Sequence, residues 1–421
     1  MSKRTFVGFG FGPIQSGLFL YEAYASGNFG RFVVAEIDKA LVQAVRDNGG
    51  RCSVNIARRN GIDQCVLDGI ELYNPAVPED REKLIQAIAE ADELATSLPS
   101  VRFYDAGNET SVASMIAAGL SRRKNPRLSV VYTAENNNHA AELLLPDILK
   151  HTSPASLTGV QLLNTVIGKM SGVITEAEVI SRMGLATMTP GLGRAVLVEE
   201  FNHILITRVA VAGFTRGIEV FVEKDDLLPF EEAKLFGHNA IHAMIGYLAD
   251  LKGLTVMSQA SGDAWIMDRA KRAFIEESGG ALIRKHRALN DPLFTEAGYR
   301  EYADDLLERM VNPYLNDLVD RVGRDHVRKL SYNDRLFGTM HLALVHGIEP
   351  RNLALGAAAG VLSMIKRQDT LKTAIPGLPR TAAELTPEAL RAVLMHLWQG
   401  KADQHAEHMI QLTWDALGTL Q

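Results

Sequence analysis

Cysteine is nearly absent from this chain, charge of neither sign dominates it, and it lacks an apolar run long enough to cross a bilayer. Its two thiols, Cys52 and Cys65, form neither a CxxC pair nor a zinc spacing. That argues against a disulfide framework or a metal centre and suits a reducing, cytoplasmic setting. The 44 basic and 50 acidic residues are interleaved and leave a net charge of -6, which offers nucleic acid no basic footprint. Two apolar stretches need their own tests. Met1-Ser2-Lys3-Arg4 followed by TFVGFGFGPIQSGLFLY imitates a secretory signal, but Gly8, Gly10, Gly12, Pro13 and Gly17 punctuate it and Gln15-Ser16 interrupts it. It reads as strand, turn and helix. LALGAAAGVLSMI (353–365) falls short of the roughly 20 residues that a spanning helix requires. No membrane segment is expected.

What is present is the balance of an ordinary globular protein, 47% hydrophobic and 22% charged, in a chain long enough for two domains. Over the first 190 or so residues, short β-branched runs alternate with amphipathic stretches. RTFVGFG, RFVVAEI, VRFYDAG and LSVVYTAE read as buried strands, and DREKLIQAIAEADELATSL and ETSVASMIAAGLSRRK as helices. This alternation predicts an α/β protein whose N-terminal part is a Rossmann-like, doubly wound parallel sheet. The texture changes near TMTPGLGRAVLVEEFNHILITR, where a Pro/Gly turn precedes a strand-like run; from about 225 the pattern is almost wholly helical. Thr386-Pro387-Glu388 is a helix start. Residues 1–203 are therefore expected as a nucleotide-binding domain and 204–421 as a mainly helical substrate and catalytic domain.

The turn Gly8-Phe9-Gly10-Phe11-Gly12-Pro13 follows a strand and opens a helix, where a dinucleotide fold places its glycines against the pyrophosphate. It departs from GxGxxG, because Pro13 stands where the third glycine would. Proline is nevertheless compatible with a first helical turn. RFVVAEID brings Glu36 to the end of the second strand, about twenty residues past the turn, where an acid accepts hydrogen bonds from the adenosine ribose and repels a 2′-phosphate. NAD is thus favoured over NADP. The candidate cofactor residues are Gly8, Gly10, Phe11, Gly12, Pro13, Glu36, Thr96 and Asn136. A glycine turn beside a solvated acid, with no nucleotide at all, fits the same residues.

EEAKLFGHNAIHAMIGYL (231–248) gathers Lys234, Glu231, His238, Asn239 and His242. At about 100° per residue, His238, Glu231 and His242 fall within about 80° of Lys234, while Asn239 lies about 140° away. A solvated surface helix would present a similar face. Lys234-xxxx-Asn239-xx-His242 resembles, however, the helix motif of the polyol-specific long-chain dehydrogenases, the mannitol dehydrogenase family. The likeness continues through EESGGALIRKH (276–286), NPYLNDLVDRVGR (312–324) and RKLSYNDRL (328–336), and more loosely over the whole chain.

That resemblance implies an NAD-dependent, metal-independent oxidoreductase that interconverts a sugar alcohol, or its phosphate, and the corresponding ketose. It makes Lys234 the base that takes the hydroxyl proton, Asn239 and Asn136 an amide clamp on the developing alkoxide, His242 a positioner of the substrate oxygen, and Glu231 a group that exchanges protons with solvent. The residue types suit the chemistry. As hydride leaves the carbinol carbon, charge builds on oxygen, and amide N–H donors stabilise it there. A lysine with an ordinary pKa near 10.4 is a poor base at neutral pH, and desolvation lowers it.

Arg328 and Lys329 are candidate anchors for a phosphate or a polyol hydroxyl, although a helix-end salt bridge accounts for them equally. His238 reads as a helix-face residue. Where relatives carry an acid followed by arginine, this chain has Gly168-Lys169, so its preferred polyol can differ. Two other readings stay open: an aldonate oxidoreductase of the same family, and a non-catalytic NAD-binding protein. The oligomeric state, monomer or dimer, is not legible.

Overall fold

The computed structural model describes residues 3–420 apart from Pro126, Lys372 and Ala402. Met1 and Ser2, the head of the signal-like segment, lie outside the described residues. The chain divides into two compact units, Met1–Leu228 and Pro229–Gln421.

In the first unit the strands are β1 (Arg4–Phe9), β2 (Phe29–Ala35), β3 (Cys52–Ala57), β4 (Ile62–Leu67), β5 (Ile70–Tyr73) and β6 (Glu93–Thr96). They continue as β7 (Ser129–Thr133), β8 (Val160–Val166), β9 (Ser171–Ile174), β10 (Ala195–Glu199), β11 (Leu205–Thr207) and β12 (Val222–Lys224). An eight-stranded sheet runs β12-β11-β8-β7-β6-β1-β2-β5. Its strands from β8 to β5 are mutually parallel. With β3 and β4 set aside, their order along the chain is the 3-2-1-4-5-6 of a dinucleotide-binding fold, and the order reverses between β1 and β6. Apolar side chains cover both faces, as parallel strands require. Leu84, Ile88, Met115, Ile116, Leu144 and Ile148 pack on one side. Leu18, Phe19, Leu41, Val45 and the small sheet β4-β3-β10-β9 pack on the other.

Two sequence expectations need correction. The stretch 101–107 is not a strand: Val101–Phe103 is a single 3-10 turn, and Gly107 (φ +72) continues the reversal. The strand at this point is β6, hidden inside a segment expected to be helical throughout. Its acidic first residue, Glu93, is fully buried, accepting from Tyr132 Oη at 2.8 Å and from the Gly217 amide. Burial raises that carboxyl's pKa. The expected domain boundary at 203 also moves, to 228, because β11 and β12 extend the sheet: β11 pairs antiparallel with β8, and β12 parallel with β11.

The second unit is helical. Arg351–Lys366 is its central helix, with Leu353–Ile365 buried throughout, so the apolar run weighed as a membrane segment is core. Gly356 and Gly360 let this helix approach another, since a Cβ on Gly356 would stand 2.8 Å from Met244 and one on Gly360 3.1 Å from Tyr247. Thr386 caps Pro387–Trp398 through the Ala389 amide. Among the described residues, no helix is long and apolar enough to cross a membrane.

Candidate active site

The nucleotide end sits where β1 and β6 diverge. Gly10 adopts φ +80, and a Cβ there would lie 2.9 Å from the Ser97 carbonyl, so both conformation and space require glycine. Gly12 faces open space, with nothing within 4 Å of where its Cβ would be. The helix then begins at Pro13 and continues through Gln15–Leu20, wound as a π-helix. An open glycine at a helix N-terminus, at the reversal of strand order, is what a pyrophosphate needs.

Glu36 directly follows the second strand, and its carboxylate is already occupied. One oxygen accepts from the Phe11 amide at 2.8 Å, the other from Ile37 and Asp38 at 2.7 and 2.9 Å. Glu36 therefore ties the glycine turn to β2. Three other candidates have roles inside the fold. Gly8 lies within β1 against the Gln15 side chain, which fills the place of a Cβ. The Phe11 side chain is core. The Thr96 hydroxyl donates to Glu135 at 2.9 Å. Glu135, which sequence reasoning passed over, also accepts from the Leu98 amide at 2.8 Å and from Tyr104 Oη, and it fixes the turn after β7 on which Asn136 is exposed.

In the helical unit the lysine helix is built in three parts: Leu228–Glu232, a π-helical stretch Ala233–Asn239, and Ala240–Leu251. The middle part changes the site. Hydrogen bonds of i→i+5 type wind the chain less per residue than an α-helix does, so Asn239 is carried toward Lys234 and His238 passes to the opposite side of it. Exposure follows that rotation. Lys234, Asn239 and His242 are each partly accessible, whereas His238 is buried, and burial holds its imidazole well below the usual range.

A wide turn frees a backbone carbonyl, and the structure supplies partners for it. Phe236 O accepts from Ser278 Oγ at 2.9 Å and from Thr339 Oγ1 at 3.2 Å. Ser278 belongs to a second π-helix, Ala273–Gly279. Gly237 fits against this neighbour, because a Cβ there would lie 2.8 Å from Tyr299 Oη and 2.9 Å from Phe274.

Among the described residues, no hydrogen bond or ion pair is recorded for the Lys234 ammonium or the Asn239 amide. Burial lowers the Lys234 pKa to about 8, Glu231 one turn earlier pulls it up, and the charge of Arg335 pulls it down. The free amine is then about a tenth of the population at pH 7, against well under a thousandth for an ordinary lysine. His242 Nε2 lies 3.0 Å from Asp317 Oδ2, and Arg321 holds the other oxygen of Asp317 at 2.7 Å. Glu231 is 8% exposed.

Arg328 and Lys329 are placed differently from one another. Arg328 lies at the surface, bonded to Asp325 at 2.6 Å. Lys329 is buried with its ammonium on the Val322 carbonyl, and desolvation lowers it to about 7. The cation whose charge reaches Lys234 is Arg335, largely buried and donating to Asp334 at 2.7 Å. It stands in the same quoted motif, and its sequence spacing from Lys234 carries no sign of proximity. Lys169, after the divergent Gly168, donates to the Phe201 carbonyl at 2.8 Å. Among the described residues, no three His, Cys, Asp or Glu side chains form a metal-ligand set.

Residues 226–379 match the mannitol dehydrogenase C-terminal domain. Mannitol-1-phosphate 5-dehydrogenase of Thermoanaerobacter pseudethanolicus is 31% identical over 93% of this chain and 95% of its own length. The enzyme of the same name from Halalkalibacterium halodurans is 27% identical over 86% of this chain and 94% of its own. Two solved structures share the fold: a substrate-free D-sorbitol dehydrogenase (TM-score 0.77, 14% identity, 100% of this chain and 93% of that one), and mannitol 2-dehydrogenase of Pseudomonas fluorescens in ternary complex with NAD and D-mannitol (TM-score 0.70, 16% identity, 100% and 92%). With a curated relative above 30% identity matched over nearly the full length of both chains, this protein belongs to the mannitol dehydrogenase family and is an oxidoreductase.

Proposed function

We propose that the chain is an NAD-dependent dehydrogenase that interconverts a sugar alcohol, or more specifically a sugar-alcohol phosphate, and the corresponding ketose, with Lys234 as general base and no metal in the step. The observation that carries this reading is an amine with a lowered pKa and no recorded partner, on one helix face with an amide and an imidazole. NAD would lie on the turn Gly10–Pro13 with its ribose toward Glu36, and when bound it supplies the hydride acceptor. Lys234 takes the proton from the reacting hydroxyl as that carbon is oxidised. Asn239 donates an N–H to the oxygen as charge develops there, with Asn136 proposed as a second donor, and His242 orients the hydroxyl. Glu231, beside the amine, passes the proton on to solvent. Arg335, or the exposed Arg328 of the same stretch, would meet the substrate's phosphate, whereas Lys329 is held inside on the Val322 carbonyl. The curated relatives named for mannitol 1-phosphate support the phosphorylated form.

The test is a panel of free and phosphorylated sugar alcohols, with NADH formation followed by absorbance and NAD binding measured separately. A preference for a phosphorylated polyol is expected. Bound NAD without turnover of any member would favour a non-catalytic nucleotide-binding protein.

A further inference from the structure

We propose that Asp317 is a positioning residue that keeps the proton of His242 on Nε2, so that Nδ1 is the atom His242 offers to the substrate. This rests on the reading of His242 given above and extends it by naming which atom acts and what selects it.

The geometry is one-sided. His242 Nε2 faces Asp317 Oδ2 at 3.0 Å. Arg321 donates through Nε and Nη2 to the other carboxylate oxygen, at 2.8 and 2.7 Å, so the carboxylate is split between its partners. Asp317 is 6% exposed and its main chain is pinned. Its carbonyl accepts from the Met257 amide at 2.8 Å, and its neighbours on either side are set by a bridge between Leu318 and Val256 and by the left-handed turn at Asn316 (φ 48). Burial alone would raise the carboxyl, but its hydrogen bond with His242 and the charge and hydrogen bonds of Arg321 hold it below the usual range. An ionised carboxylate only accepts hydrogen bonds, so the nitrogen facing it must carry the proton. His238, whose ring centre is 6.2 Å away on the same helix, is kept neutral by burial. A ring fixed in this way presents the Nδ1 lone pair, which accepts a hydrogen bond from a substrate hydroxyl and turns that hydroxyl's oxygen toward the base.

The first test needs no variant. In protein labelled with 15N-histidine, at a pH where the ring is neutral, the His242 signals (assigned by their loss in His242→Asn) should show Nε2 protonated and Nδ1 bare. A proton on Nδ1 overturns the proposal. The second is a double-mutant cycle on kcat with Asp317→Asn, His242→Asn and the pair. Asp317→Asn should lose about ten- to a hundredfold, as loss of an orienting partner does elsewhere, with KM for NAD unchanged. In the His242→Asn background it should cost less than about twofold further. Independent, multiplicative losses would make Asp317 merely structural. Lys234→Ala, measured alongside, separates the two failures. If it retains full activity the proposed reaction falls, whereas if it is impaired while the cycle is multiplicative only the role of Asp317 falls.

Discussion

Replacing Lys234 with alanine removes an amine whose ionisation burial has moved toward the working range. Its worth follows from that shift. General-base catalysis contributes about a hundred- to ten-thousandfold, or roughly 3 to 5 kcal/mol of barrier. With the amine at about 8, only about a tenth of the wild-type protein is in the competent form at pH 7, but about nine-tenths is at pH 9. The penalty of Lys234→Ala should therefore depend on pH, being about tenfold smaller at pH 7 than at pH 9. The assay is the initial rate of polyol-phosphate oxidation, read as NADH, across pH 6 to 10 for both proteins. Wild type should rise through a limb near pH 8 and the variant should show no such limb. A variant that keeps the same limb, or turns over within about twofold of wild type, would refute the assignment of the base.

Three further perturbations test the surroundings. Glu36→Gln leaves the carboxamide one acceptor oxygen for the three amides now bound, so it should loosen the glycine turn, weaken NAD binding and narrow the preference over NADP; unchanged selectivity in paired KM measurements would remove Glu36 from the cofactor site. Gly237→Ala would gain about 1 kcal/mol in helix propensity but push a methyl against Tyr299 and Phe274, a clash that typically costs about 1–3 kcal/mol. A lower Tm with a fall in kcat is expected, and unchanged values of both would show that the close packing is not needed. Lys329, near 7 in the folded state, is well below its unfolded value near 10.4. Between those values the unfolded chain holds the extra proton, so unfolding free energy should rise with pH across that window. Lys329→Met should flatten the rise in denaturant titrations, and an unchanged slope would assign it to other groups.

Much of this was legible in the sequence where local chemistry decides the outcome. The glycine turn and Pro13 announced a strand-to-helix junction, and the spacing of Lys234, Asn239 and His242 marked the helix. The remainder depended on contacts that spacing does not record. β6 was read as helix because nothing nearby in sequence says that Tyr132 and the Gly217 amide will satisfy a buried Glu93. An ideal helical wheel left Asn239 about 140° from the lysine, since a π turn is invisible to a fixed period. Asp317 and Arg335 lie far along the chain from Lys234, and only folding brings their charges to the helix.

The carbonyl of Phe236, held by hydroxyls from two distant helices, implies that the business end of this helix is not portable. Excised as a peptide or grafted onto another bundle, residues 228–251 would lose those donors and relax to the tighter winding that regular helices prefer. The amide would swing off the amine's side and the buried histidine would take its place. A design that borrows this lysine helix has to bring Ser278 and Thr339 along as well.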